Sequence, residues 1–130
     1  MNMGVVLADF HKELSEKMLE YAKKAAEKEG FKITEIVRVT GAFDIPLPLK
    51  RLLAKKEIHC AIVLGAVLQG ETSHDEIVAF TSAEKISQLS LEYNKPVGYG
   101  VSGPRMNMQQ AEARAEEFSV RAVEAVKRMF

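Results

Sequence analysis

The chain has 130 residues, 47% of them hydrophobic, with 18 basic and 18 acidic side chains and a single cysteine, Cys60. That size suits one domain over residues 1–130, and the balanced charge gives no footing for nucleic acid or an anionic membrane surface. No apolar run is long enough to span a bilayer, no room for a signal peptide precedes the first strand, and a lone cysteine fits a reducing compartment; the expectation is a cytoplasmic protein.

In chain order, Gly4-Val5-Val6-Leu7-Ala8 reads as a buried strand. A helix follows over residues 13–29, with Leu14, Met18, Tyr21, Ala22 and Ala25 on one face and Gly30 closing it. Residues 33–39 form a second strand, ended by Thr40-Gly41. Pro46 and Pro48 fall in the first turn of a helix that carries Leu49, Leu52 and Leu53. Residues 61–67 are apolar without alternation, the pattern of a strand covered on both faces. A helix opens near His74 and runs through Ile77, Phe80, Ile86 and Leu89 to Tyr93. Residues 96–101 read as the fourth strand and Ser102-Gly103-Pro104 as a turn. A last helix spans residues 108–129, with Ala111, Ala115, Phe118, Ala122 and Val126 as its seam.

Four strands separated by helices predict right-handed crossovers and a parallel sheet covered on both sides. The fold class is therefore α/β: a three-layer sandwich with a four-stranded parallel sheet in flavodoxin-like order. In such sheets ligands bind outside the carboxyl ends of the strands.

The third strand end is the most informative. It continues as Gly65-Ala66-Val67-Leu68-Gln69-Gly70-Glu71-Thr72-Ser73-His74-Asp75-Glu76. Thr72 and Ser73 each precede an acid by three residues, the reciprocal capping-box spacing of a helix start. Asp75 and Glu76 have a sufficient structural role there, since acids stabilise a helix N-terminus. His74 then stands in the first turn, beside amides that favour anions, and imidazole suits proton transfer near neutral pH. The other strand ends bring Phe10-His11, Gly41-Ala42-Phe43-Asp44 and the neighbourhood of Tyr99 to the same rim. An aromatic ring, a carboxylate, a histidine and helix amides suit a planar polar heterocycle together with an anionic partner. On the residues alone, Phe43 reads equally as core, and Arg114 as a solvated helix residue.

These segments, in this order, resemble the lumazine synthase family. The resemblance runs through Asp9-Phe10-His11, Gly41-Ala42-Phe43-Asp44-Ile45-Pro46, the Gly65–His74 run, Lys95-Pro96-Val97 and Gln110-Ala111-Glu112-Ala113-Arg114, and so covers nearly the whole chain. Glu71-Thr72-Ser73-His74-Asp75-Glu76-Ile77-Val78 and Val101-Ser102-Gly103-Pro104 are most similar to the archaeal branch.

The resemblance implies a condensation that uses no redox or metal cofactor. 5-Amino-6-(D-ribitylamino)uracil and 3,4-dihydroxy-2-butanone 4-phosphate give 6,7-dimethyl-8-ribityllumazine, phosphate and water, the penultimate step of riboflavin biosynthesis. It assigns proton transfer to His74 and stacking on the pyrimidine to Phe10. Ala42, Phe43 and Asp44 match the segment that holds the ribityl chain, and Ala66, Val67 and Leu68 the strand end that pairs with the uracil. Glu71 and Thr72 match the phosphate turn, and Arg114 the arginine that reaches the phosphate. Tyr99 matches a position that lines the pocket from an adjoining subunit. The family further implies a homo-pentamer, with larger shells in some members.

Three positions depart from the family pattern: His11 for a common asparagine, Thr40 for proline, and Asp44 for glutamate, as in archaeal relatives. Two alternatives stay open, an archaeal-type riboflavin synthase that dismutates lumazine and a non-catalytic lumazine- or flavin-binding shell protein.

Overall fold

The computed structural model describes residues 1–130 and orders the four strands β2-β1-β3-β4, all parallel. The elements are β1 (Asn2–Ala8), α1 (Lys12–Lys28), β2 (Lys32–Val39), a single 3-10 turn (Ala42–Asp44), α2 (Pro46–Leu53), β3 (Cys60–Ala66), α3 (His74–Tyr93), β4 (Val97–Ser102) and α4 (Met108–Met129). This is the α/β sandwich expected from the strand–helix alternation. Boundaries differ from the sequence pattern by one or two residues, and a 3-10 turn intervenes between β2 and α2.

Side chains alternate across the sheet and define the two outer layers. Met3, Val5, Leu7, Ile62 and Leu64 pack under Leu19, Ala22 and Ala26 of α1 and Ala122, Val123 and Val126 of α4. Val6, Ala8, Ala61 and Val63 face the opposite way, onto Leu49, Leu52 and Leu53 of α2 and Ala79, Ile86 and Leu89 of α3. Because β1 and β3 are covered on both sides, neither face can afford a polar residue, which is why both strands read as continuous apolar runs.

One close approach fixes α4 on the sheet. A Cβ at Gly98 would meet the Ala122 carbonyl oxygen at 2.0 Å, so the strand backbone and helix backbone touch with no side chain between them. At the other end of α1, Gly30 takes φ +82°, the left-handed conformation that terminates the helix. No helix is long and apolar enough to cross a membrane.

The strand order reverses between β1 and β3: the chain steps outward to β2 from one and to β4 from the other. That switch point leaves a crevice beyond the carboxyl ends of β1 and β3, where neighbouring connections diverge to opposite faces.

Candidate active site

A cavity of about 610 Å³ occupies that crevice. Phe10 and His11 enter it after β1, and Thr40, Gly41, Ala42, Phe43 and Asp44 after β2. Ala66, Val67, Leu68, Gly70, Thr72, His74, Asp75 and Val78 line it from the end of β3 and the start of α3. The volume is within the range of small-molecule sites, and the lining is apolar with a few convergent polar groups.

Each group has a local reason for its position. Phe10 is 70% exposed, an unusual placement for a phenylalanine, and its ring stands edge-on to His11 at a centroid distance of 5.0 Å. Burial holds the His11 imidazole below its ordinary pKa of 6.5, because the charged form loses hydration. After β2, the 3-10 turn is closed by its own acid: Asp44 Oδ2 accepts the Gly41 N–H at 3.1 Å. Ala42 is thereby buried, and Phe43 is left 61% exposed at the mouth. The core reading therefore does not hold for Phe43.

The segment after β3 is the chemically distinctive part. The Val67 N–H is taken by Ser102 O at 2.8 Å and the Gln69 N–H by Met106 O at 2.8 Å. The backbone N–H groups of Leu68, Gly70, Glu71, Thr72 and Ser73, by contrast, donate to no acceptor within the chain. Several free amides in succession lead into a helix N-terminus, where unpaired backbone donors favour anions. His74 is the first residue of α3 and is exposed to the cavity side, its own N–H donating to Thr72 Oγ1 at 3.3 Å.

The capping box expected at Thr72/Ser73 does not form. Ser73 is the N-cap but its side chain makes no capping hydrogen bond. The two acids turn instead to the β4–α4 connection, where Asp75 Oδ2 accepts the Arg105 N–H at 2.9 Å and Glu76 pairs with the Arg105 guanidinium. A reciprocal box does cap α4, between Asn107 and Gln110, at 2.8 and 2.9 Å. The competing partner at residue 105 is distant in sequence, so spacing alone could not reveal it.

Of the residues singled out in the sequence, Phe10, Ala42, Phe43, Asp44, Ala66, Val67, Leu68, Thr72 and His74 meet in the one cavity. Three do not line it. Glu71 is exposed between Gly70 and Thr72. Tyr99 borders a separate groove with Ala83, Ile86, Val97 and Met129. Arg114 is exposed on α4. Thr40, Asp75 and Val78 also line the cavity, and of these only Val78 carries a signal in the sequence, its helical spacing from His74.

This doubly wound α/β sheet, with an aromatic, a carboxylate, an imidazole and unpaired amides at its switch point, has the make-up of an enzyme that handles small molecules. The family model for 6,7-dimethyl-8-ribityllumazine synthase matches residues 1–130. A protein of that name from Methanobrevibacter smithii is 46% identical over 128 residues, 98% of this chain and 92% of the relative. Those from Metallosphaera sedula and Methanothermobacter thermautotrophicus are each 42% identical, covering 99% and 100% of this chain and 85% and 93% of theirs. The chain belongs to the 6,7-dimethyl-8-ribityllumazine synthase family.

Proposed function

We propose that this protein is a cytoplasmic lumazine synthase of one domain, joining the ribitylaminouracil to the butanone phosphate at the β1/β3 crevice. The observation that carries the reading is that Gly70, Thr72 and His74 line one cavity with Phe10 and Asp44, and that the amides of residues 70–73 leading into His74 are unpaired. A phosphoryl group on those amides would set the adjoining carbon chain beside the imidazole. Phe10 offers its face to the pyrimidine, the free Leu68 N–H an edge for it, and Asp44 an acceptor for ribityl hydroxyls.

Imine formation, loss of phosphate, ring closure and dehydration each move a proton, and a placed imidazole can both accept and return one. General acid–base help of this kind contributes roughly 10²–10⁴-fold. Holding two reactants in register supplies a further share of the acceleration.

The same reading makes the site a shared one. Tyr99 and Arg114 lie outside the cavity of their own chain, so their assigned contacts require a neighbouring copy. Ile77 and Phe80 on α3, 62% and 57% exposed, and Leu47 on α2, 56% exposed, offer an apolar surface for it. We assign a homo-pentamer.

Supplying both substrates and following lumazine absorbance tests the proposal. Formation of lumazine that depends on both is the expected result. Riboflavin formed from lumazine alone would favour dismutation, and tight binding without turnover would favour a carrier shell.

A further inference from the structure

The segment that carries the unpaired amides has no regular structure of its own between the end of β3 and the start of α3. What steadies it is the β4–α4 connection lying across it. Two ties are backbone to backbone, Val67 N–H to Ser102 O and Gln69 N–H to Met106 O, both at 2.8 Å. Between them Gly103, at φ +103°, comes so near that a Cβ there would lie 2.1 Å from the Val67 carbonyl oxygen. The third tie lies at the helix start and depends on one side chain: Asp75, 6% exposed, accepts the Arg105 N–H at 2.9 Å. Arg105 holds that amide inward in a left-handed conformation, φ 59°, while its guanidinium engages Glu76.

A nearly buried carboxylate next to amides that favour an anion opposes that anion and loses hydration. Its compensation here is the charge-assisted bond to a distant amide. From this we infer that Asp75 is a positioning residue: it fixes the first turn of α3, and with it His74 and the unpaired amides, against the β4–α4 connection. The inference rests on the lumazine synthase reading for its kinetic consequence, but the tie itself is independent of it.

The test compares Asp75→Ala with Asp75→Asn in the full chain. Asparagine keeps an acceptor oxygen in the same place without the charge. Asp75→Ala is expected to lower kcat/KM by about ten- to a hundredfold, the scale of losing a hydrogen bond to a charged group, chiefly through KM for the butanone phosphate. Asp75→Asn is expected to regain most of that loss. Amide exchange at Arg105 gives a readout that needs no turnover: slow in the parent and in Asp75→Asn, fast in Asp75→Ala.

Parental kinetics with retained Arg105 protection in Asp75→Ala would overturn the inference. So would an Asp75→Asn variant as impaired as alanine while Arg105 exchange stays slow, since the charge would then act on substrate directly. If Asp75→Ala fails to fold, Asp75→Asn with slow Arg105 exchange and near-parental kinetics supports the tie, and fast exchange refutes it. A parent that makes no lumazine refutes the functional reading instead, while the exchange result still decides the tie.

Discussion

Asp44 closes on Gly41: one carboxylate oxygen accepts that amide at 3.1 Å across the 3-10 turn, so the acid both shapes the wall that follows β2 and lines the cavity. The two roles separate on substitution. Asp44→Asn keeps an oxygen for the Gly41 N–H and loses only the charge; Asp44→Ala loses both. Steady-state kinetics should show KM for the ribitylaminouracil raised about tenfold or more in Asp44→Ala and less in Asp44→Asn. Equal KM values in parent and alanine variant would remove Asp44 from that substrate's site.

His74→Ala should lower kcat by about 10²–10⁴-fold while leaving pyrimidine affinity within a few fold. Titration of the pyrimidine by fluorescence alongside turnover checks both halves. A variant that turns over at the parental rate would strip the imidazole of its role.

If Arg114 reaches the phosphate of a neighbouring copy, two impaired variants should rescue each other. Arg114→Ala and His74→Ala chains are expected to exceed the turnover of either alone when unfolded together and reassembled, because some interfaces then pair two intact halves. Sedimentation should show one oligomer throughout. A fully active monomer, or mixed chains that never recover, would place Arg114 elsewhere.

His11 gives a pH dependence with a definite sign. Burial lowers its pKa in the fold, so the unfolded chain binds that proton more tightly. The contribution is therefore unchanged well above about pH 6.5 and turns against the fold as pH drops from there toward the lowered value. Urea midpoints measured from about pH 7.5 to about pH 5 should fall toward acid in the parent and fall less in His11→Asn. Parallel profiles would show that the shift has no thermodynamic weight.

Gly98 should be the least tolerant position of β4. With the Ala122 carbonyl oxygen 2.0 Å from a Cβ there, Gly98→Ala must push α4 off the sheet. Overpacking of this kind costs about 1–3 kcal/mol, more where backbone rather than a flexible side chain must yield. Chemical denaturation of the variant gives the number, and parental stability would mean that α4 has freedom the packing does not reveal.

Much of the site was legible because strand ends are legible. Residues 61–67 are apolar throughout, so their end had to be a rim, and whatever followed had to face ligand or solvent. Phe10, Asp44 and His74 stand in or at the end of the connections that follow three strands, and all three line the cavity. The helix start at residues 72–76 misled in one respect. Its spacing satisfies a capping box, but the acids found a better donor in Arg105, some thirty positions away, and a local rule has no access to a competitor that distant.

What the sequence determined by itself was therefore the periodic part: four strands, two of them covered on both faces, four helices, their parallel order, and most of the residues stationed at one rim. Only the tertiary structure decided how that rim is used. It turned Asp75 and Glu76 toward Arg105, left the amides after Gly70 without acceptors, and set Tyr99 and Arg114 away from the cavity of their own chain. The reason is physical: hydrophobic periodicity is a sum over near neighbours and survives in one dimension, whereas a hydrogen bond or a shared cavity depends on which distant atoms arrive first and closest.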